Sequence, residues 1–441
     1  MNRDYEAEMK VKKKIGVDLR VLQIGHQYRG IGAHIINLLN YLNRLKEAQA
    51  VTFVFYINKD QPNPLDELDI DVSSLDYSVS SVSRPAPGGS RKRKLYKVFI
   101  KLRDLILKGD IGLNGLKDLD VFLQSDFKLG VPSRRLVKTA LVVYDLIPWV
   151  MSEHYLPSYS QHRNSGASIK NSVMGLLNKK IYIWMMKSST KRAKKLIAIS
   201  EYTRRDFIKI LNVKPPKIET VLLSGDFGPV DPALLKIPDS LSGLSYDFFG
   251  EPEKAKVDLK KERYIFWLGG ADRRRRLEDL VDAFNSLNAG GENIKLLLSG
   301  FDFRSIDSLV TDDISRAAIH SSSFRKNIVF VGFISAEEKV AMYRNAIACV
   351  LPSMYEGFGM TVLESMRYSC PVITYKNSSI SEVGGNAAIY ADGHKGIEDS
   401  ILRLLKDQSF RDDVIKRGDN QLGKFDWSKT AKKTFKVLVD L

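Results

Sequence analysis

The chain has 441 residues, 44% of them hydrophobic and 10% aromatic, which excludes a disordered polymer and is too long for one ordinary core, so two domains are expected. Lys and Arg number 68 against 52 Asp and Glu, a formal charge of +16 that favours nucleic acid, acidic lipid or phosphorylated substrates as partners. The two cysteines, Cys349 and Cys370, lie in apolar stretches and imply no disulfide framework, and no window reaches the roughly 20 apolar residues that span a bilayer, so a cytoplasmic setting is expected.

In chain order, KIGVDLRVL (14–22) reads as a strand, then a glycine loop with Gly30 and Gly32, then a helix over AHIINLLNYLNRL (33–45). Strands follow at 51–58, 120–125, 138–146 and 194–200, alternating with helical or loop segments, the pattern of a parallel doubly wound sheet. Residues 91–108 and 178–195 interleave Lys and Arg with Leu, Ile, Phe, Tyr and Trp, and read as basic amphipathic helices. Each suits an anionic membrane face, or equally a helix packed on its own domain. Prolines, glycines and charges make 226–262 the interdomain linker, dividing an N-terminal domain, 1–225, from a C-terminal one, 263–425, with a closing helix at 426–441. The second domain repeats the beat: strands at 264–270, 294–300, 327–333, 349–353 and 371–376, helices at 277–287, 337–346 and 361–369. Ligands bind beyond the carboxyl ends of such strands, which draws attention to the loops bearing Gly270, Gly300 and Phe333.

Chemistry concentrates in PSMYEGFGMTVLESM (352–366), a strand end, a glycine turn and an amphipathic helix. Gly357 and Gly359 let backbone approach a ligand, amides near Met360 and Thr361 offer donors to a diphosphate, and Glu356 and Glu364 suit hydroxyls of a sugar and a ribose. Read alone, the string also fits a structural turn with a solvated Glu364. In GGADRRRRLEDL (269–280) four arginines follow a strand, and Arg274 and Arg275 are the expected phosphate contacts, although runs of charge are often solvated faces. Tyr144 and Asp145 end the strand 138–146, where Asp145 has either a chemical role or pins the next loop. Ser200 reads as a helix cap, with Arg204 one turn on as a candidate acceptor-side residue. The six histidines show no metal-ligand spacing, and no metal or cofactor is expected.

These strings together, with CPVITYKNSSISEVGGNAA (370–388) and FDWSKTAKK (425–433), resemble the retaining glycosyltransferases of family 4 over nearly the whole chain. The resemblance implies the GT-B fold, two facing Rossmann-like domains with parallel sheets and a cleft between them. It implies that Glu356 contacts the donor sugar, Glu364 the ribose, and Arg274 and Arg275 the diphosphate, with amides of Gly357, Phe358, Gly359 and Thr361 serving sugar and phosphates and Gly30 and Gly32 in the N-domain glycine loop. The chain departs from the family in having Arg275 for Lys and Tyr144 for His. The activity so implied is metal-independent transfer of a sugar, with retention, from a nucleotide diphosphate sugar to a glycan or lipid-linked acceptor in surface polysaccharide assembly, at the inner face of the cell membrane, with no nucleic-acid partner. Nucleotide-sugar hydrolysis or epimerisation, and a non-catalytic nucleic-acid-binding or scaffold protein on this fold, are the alternatives.

Overall fold

The computed structural model describes residues 12–23, 30–82, 115–155, 169–225, 236–247, 250–308 and 313–441. The basic segment 91–108 lies outside them. The chain forms two compact units, residues 1–223 with 427–441, and 224–426.

In the first unit β1 (Lys14–Asp18), β2 (Thr52–Asn58), β3 (Asp76–Val82), β4 (Val121–Gln124), β5 (Lys138–Val143), β6 (Lys195–Ala198) and β7 (Ile218–Thr220) make one sheet in the order β3-β2-β1-β4-β5-β6-β7, every pairing parallel. Its central strands are buried on both sides, which is why they read as continuous apolar runs. Helix α1 (Gly30–Asn43) buries Ile35, Leu38, Leu39 and Leu42, one stripe at helical spacing. Helix α2 (Ile169–Arg192) ends against cations: Lys217 Nζ donates to the carbonyl of Thr190 at 2.6 Å and Arg134 Nε to that of Arg192 at 2.8 Å. Positive charge at a helix carboxyl end meets the negative pole of its dipole. Burial, then the neighbouring Arg134, lowers Lys217 to about 8. Helix α3 (Glu201–Leu211) starts at Ser200, whose Oγ accepts from the Thr203 amide at 3.0 Å.

In the second unit β8 (Ser240–Tyr246), β9 (Pro252–Asp258), β10 (Tyr264–Leu268), β11 (Lys295–Ser299), β12 (Ile328–Gly332), β13 (Ala348–Leu351), β14 (Val372–Tyr375) and β15 (Ile389–Ala391) run in the order β15-β14-β13-β10-β11-β12-β8-β9. All pairings are parallel except β12 with β8 and β8 with β9. Here the expectation of a linker over 226–262 is corrected, because an antiparallel hairpin occupies much of it. Its composition misleads for a physical reason. Gly243 lies where a Cβ would stand 2.6 Å from the Phe330 carbonyl, so glycine marks a close strand approach. Pro252, Glu253, Lys254 and Lys256 belong to an edge strand, which tolerates proline and charge. Around the sheet stand α4 (Leu277–Ala289), α5 (Asp313–Ser321), α6 (Ala336–Asn345), α7 (Met360–Arg367), α8 (Ser378–Gly384), α9 (Gly393–Lys406) and α10 (Gln408–Leu422). Trp267, Phe284, Phe303 and Leu298 share the main core, while Cys349 and Cys370 are free, buried thiols.

The last helix, α11 (Trp427–Val439), belongs to the first unit and packs on α1. Thr430 Oγ1 donates to the Leu222 carbonyl at 2.6 Å, and Trp427 stacks on His34 with centroids 5.9 Å apart. Among the described residues no helix is long and apolar enough to cross a membrane.

Burial lowers His34 from 6.5 to about 3, so the folded unit excludes a proton that the unfolded chain accepts below pH 6.5. Stability from this site is whole above that pH and declines as pH falls from 6.5 towards 3. Melting curves across this range should show the decline, and His34→Phe should flatten it. Trp427→Ala should cost about 3–5 kcal/mol by large-to-small truncation in denaturant titrations.

Candidate active site

Strand β10 is flanked by β11 on one side and β13 on the other, so the order of the second sheet reverses there. Crevices at such points receive ligands beyond the strand ends. Two loops meet at that position, 269–276 after β10 and 352–359 after β13, joined by the Met354 amide donating to the Arg274 carbonyl at 2.7 Å.

The four arginines divide their work. Asp272 caps the short turn Arg273–Arg275, its Oδ1 accepting from the Arg274 amide at 3.2 Å. Arg273 pairs with Glu278, and Arg276 forks onto Asp279 at 3.0 and 2.8 Å, with Asp279 also accepting from the Tyr375 hydroxyl. Those acids lie in the first turn of α4, where the helix dipole favours them. The outer arginines thereby anchor the loop. The inner two turn to Glu356: Arg274 Nη1 donates to its Oε1 at 2.6 Å and Arg275 Nε to the same oxygen at 3.1 Å. Ser353 Oγ adds a third donor at 3.0 Å. Oε2 has no partner among the described residues. Burial disfavours the charge on Glu356, but Arg274, Arg275 and Ser353 outweigh it and hold the carboxyl below its ordinary value.

Two glycines make room for this arrangement. Arg275 Nη1 donates to the Gly270 carbonyl at 3.3 Å and passes 2.0 Å from where a Cβ on Gly269 would stand. Gly300 has φ +139°, and a Cβ there would meet the Gly269 carbonyl oxygen at 2.0 Å. Asp302 accepts from the Ala271 amide at 3.0 Å and closes the same turn.

The other expected residues of the second unit fall into three groups. Gly357, Phe358, Gly359, Met360 and Thr361 form the turn into α7, where Gly359 at φ +114° is the N-cap and no side chain caps the helix. The Phe358 ring is buried, edge-on to Phe425 at 5.9 Å, so only its backbone remains for a ligand. Glu364 is buried rather than solvated, accepting from Tyr343 Oη at 3.0 Å with Lys339 Nζ at 3.9 Å. Phe333, after β12, is 63% exposed.

In the first unit Gly30 and Gly32 open α1. Tyr144 Oη shares a 2.9 Å hydrogen bond with His34 Nδ1, and burial, then Asp126, raises the phenol well above its usual value. His34 lacks metal-ligand spacing with any other histidine, so no motif in the sequence marks it. Its apolar-face position in α1 gave no other signal. Asp145 Oδ1 accepts from the Ile147 amide at 2.9 Å, the loop-pinning alternative. Arg204 donates to Glu201 at 3.0 Å and to the Ile218 carbonyl at 3.3 Å, a tie between α3 and β7.

Gly300→Ala, which adds both a forbidden contact and backbone strain, should lower stability by about 2 kcal/mol or more in denaturant titration. Gly291→Ala, at φ +89° with open space around it, should cost less.

The profile of the family described as glycosyl transferases group 1 matches residues 250–421. The O-antigen chain mannosyltransferase B of Escherichia coli is 28% identical over 247 residues, 55% of this chain and 59% of that protein. The serotype-specific mannosyltransferase WbdA of Escherichia coli is 23% identical over 298 residues, 67% of this chain and 32% of that protein. The matched stretch thus spans less than two thirds of either relative. The crystal structure of Anabaena Alr3699/HepE, solved with UDP and glucose, superposes with a TM-score of 0.61 at 13% identity, covering 98% of this chain and all of that one. With the two doubly wound sheets, this likeness makes the fold GT-B, and residues 250–421 of the second unit are similar to the glycosyl transferases group 1 family.

Proposed function

We propose that the chain is a retaining, metal-independent glycosyltransferase that moves a sugar from a nucleotide diphosphate donor to a glycan or lipid-linked acceptor in surface polysaccharide assembly. The observation that carries this reading is the convergence of Arg274 and Arg275 on one carboxylate oxygen at the sheet's reversal point, beside the uncapped start of α7. Guanidinium groups and helix-start amides bind pyrophosphate oxygens, and in transfer they stabilise the charge that develops on the leaving diphosphate. Glu356, with Oε2 available, takes the donor sugar, and Glu364 the ribose. Gly270, Gly300 and the exposed ring of Phe333 line the nucleotide side, with Gly30 and Gly32 also assigned to the donor. Tyr144, Asp145 and Arg204 are assigned to the acceptor. Both Escherichia coli relatives are named mannosyltransferases, so nucleotide-linked mannose heads the donors to test.

A membrane-facing role rests on α2. Leu177, Lys180, Trp184 and Lys187 are exposed at spacings of three and four, which puts them on one face, and Lys187 lies 5.4 Å over the Trp149 ring. Exposed Trp with flanking Lys suits the interface of an anionic leaflet.

Incubation with labelled nucleotide sugars should give label in a glycan or lipid fraction. Arg274→Ala should cut turnover about 100- to 1,000-fold, the scale of losing one preorganised donor to a developing anion. Free sugar without transfer would favour hydrolysis, and unchanged turnover would remove Arg274 from the site. Sedimentation with vesicles rich in anionic lipid should fall as salt rises, and more steeply so for wild type than for Trp184→Ala with Lys180→Ala. Salt-independent or absent sedimentation would reject the α2 face.

A further inference from the structure

Glu356 sits in a loop, and a loop carboxylate that must present one oxygen to a ligand needs its backbone held. Three side chains, those of Asn377, Ser378 and Ser353, do this in a closed circuit with Glu356. Asn377 Nδ2 donates to the Ser353 carbonyl at 2.6 Å. Ser378 Oγ donates to Asn377 Oδ1 at 2.9 Å and accepts from the Glu356 amide at 2.9 Å. Ser353 Oγ donates to Glu356 Oε1, closing the ring. Beside it, Ser379 Oγ lies 2.7 Å from the Glu356 carbonyl and 2.8 Å from that of Phe358, one proton shared by two acceptors.

Three features set this apart from ordinary loop packing. Ser378 and Ser379 are 4% and 0% exposed, and their hydroxyl protons go to Asn377 Oδ1 and to the carbonyls of Glu356 and Phe358. Ser378 has φ +38°, the left-handed region that disfavours a non-glycine residue, yet a side chain is kept there. Its hydroxyl is both donor and acceptor in the ring, so no apolar residue replaces it.

We propose that Asn377, Ser378 and Ser379 are positioning residues that act through Glu356, locking Oε1 onto the arginines so that Oε2 is the oxygen offered to the donor sugar. The claim rests on the transferase reading for its kinetic consequence, and on geometry alone for its structural one. In chemical terms the ring removes the rotational freedom Glu356 would otherwise lose at the transition state, so its loss falls on turnover more than on nucleotide binding.

The test compares Ser378→Gly with Ser379→Ala and Ser379→Thr. Glycine accepts φ +38° without strain, so Ser378→Gly removes the hydroxyl while relieving the backbone. The expected result is a kcat at least about tenfold lower in Ser378→Gly and Ser379→Ala, a Kd for UDP or GDP within about threefold of wild type, and recovery in Ser379→Thr. Wild-type kcat in Ser378→Gly would overturn the proposal, since a merely conformational role predicts no loss there. Should the wild-type enzyme transfer sugar from no donor, the transferase reading fails. The positioning claim is then decided by the crystal structure of Ser378→Gly. Displacement of Glu356 from Arg274 supports it, and an unchanged 2.6 Å pair overturns it.

Discussion

Two adjacent guanidinium groups, each mostly buried, share one carboxylate oxygen, and this contact sets the requirements that the surrounding structure meets. Like charges held together away from water repel strongly, and without Glu356 the pair would carry an uncompensated cost. The carboxylate supplies one negative charge against two positive ones. A diphosphate carries more, in oxygens whose geometry fits the guanidinium fork, so a site preset by Glu356 is one that a stronger anion completes.

Each neighbouring feature serves that contact. Asp272 turns the chain, Arg273 and Arg276 fasten the loop to acids on α4, Gly269 leaves room for Arg275 to fold back, and Gly300 leaves room for the Gly269 carbonyl. The Asn377–Ser379 segment does the same for the facing loop from the start of α8. Both loops hang from β10 and β13, buried strands whose positions are fixed by the core of Trp267, Phe266 and Val350, so a rigid sheet sets the spacing of mobile-looking sequence.

Much of this was legible in the residues because it obeys local rules. Alternating apolar runs marked β1, β2, β4, β5, β6 and most of the second sheet, and the Ser200 cap was visible from its place before an amphipathic run. Arg274 and Arg275 stood out by following a strand end and were also indicated by resemblance, but nothing in four consecutive arginines tells that Arg273 and Arg276 find acids on the next helix. What escaped were contacts fixed by tertiary placement. The β8–β9 hairpin hid behind edge-strand charge and a glycine that serves close packing. The ring through Asn377 joins residues 24 positions apart, and His34 meets Tyr144 and Trp427 from across the first unit, so neither leaves a spacing to read.

The central claim is that the anion held by Arg274 and Arg275 in catalysis is a pyrophosphate. A crystal structure with bound nucleoside diphosphate tests it most directly. The account predicts phosphate oxygens within hydrogen-bond reach of both guanidinium groups and of the amides opening α7. A diphosphate bound elsewhere, with the arginines still on Glu356, would contradict it.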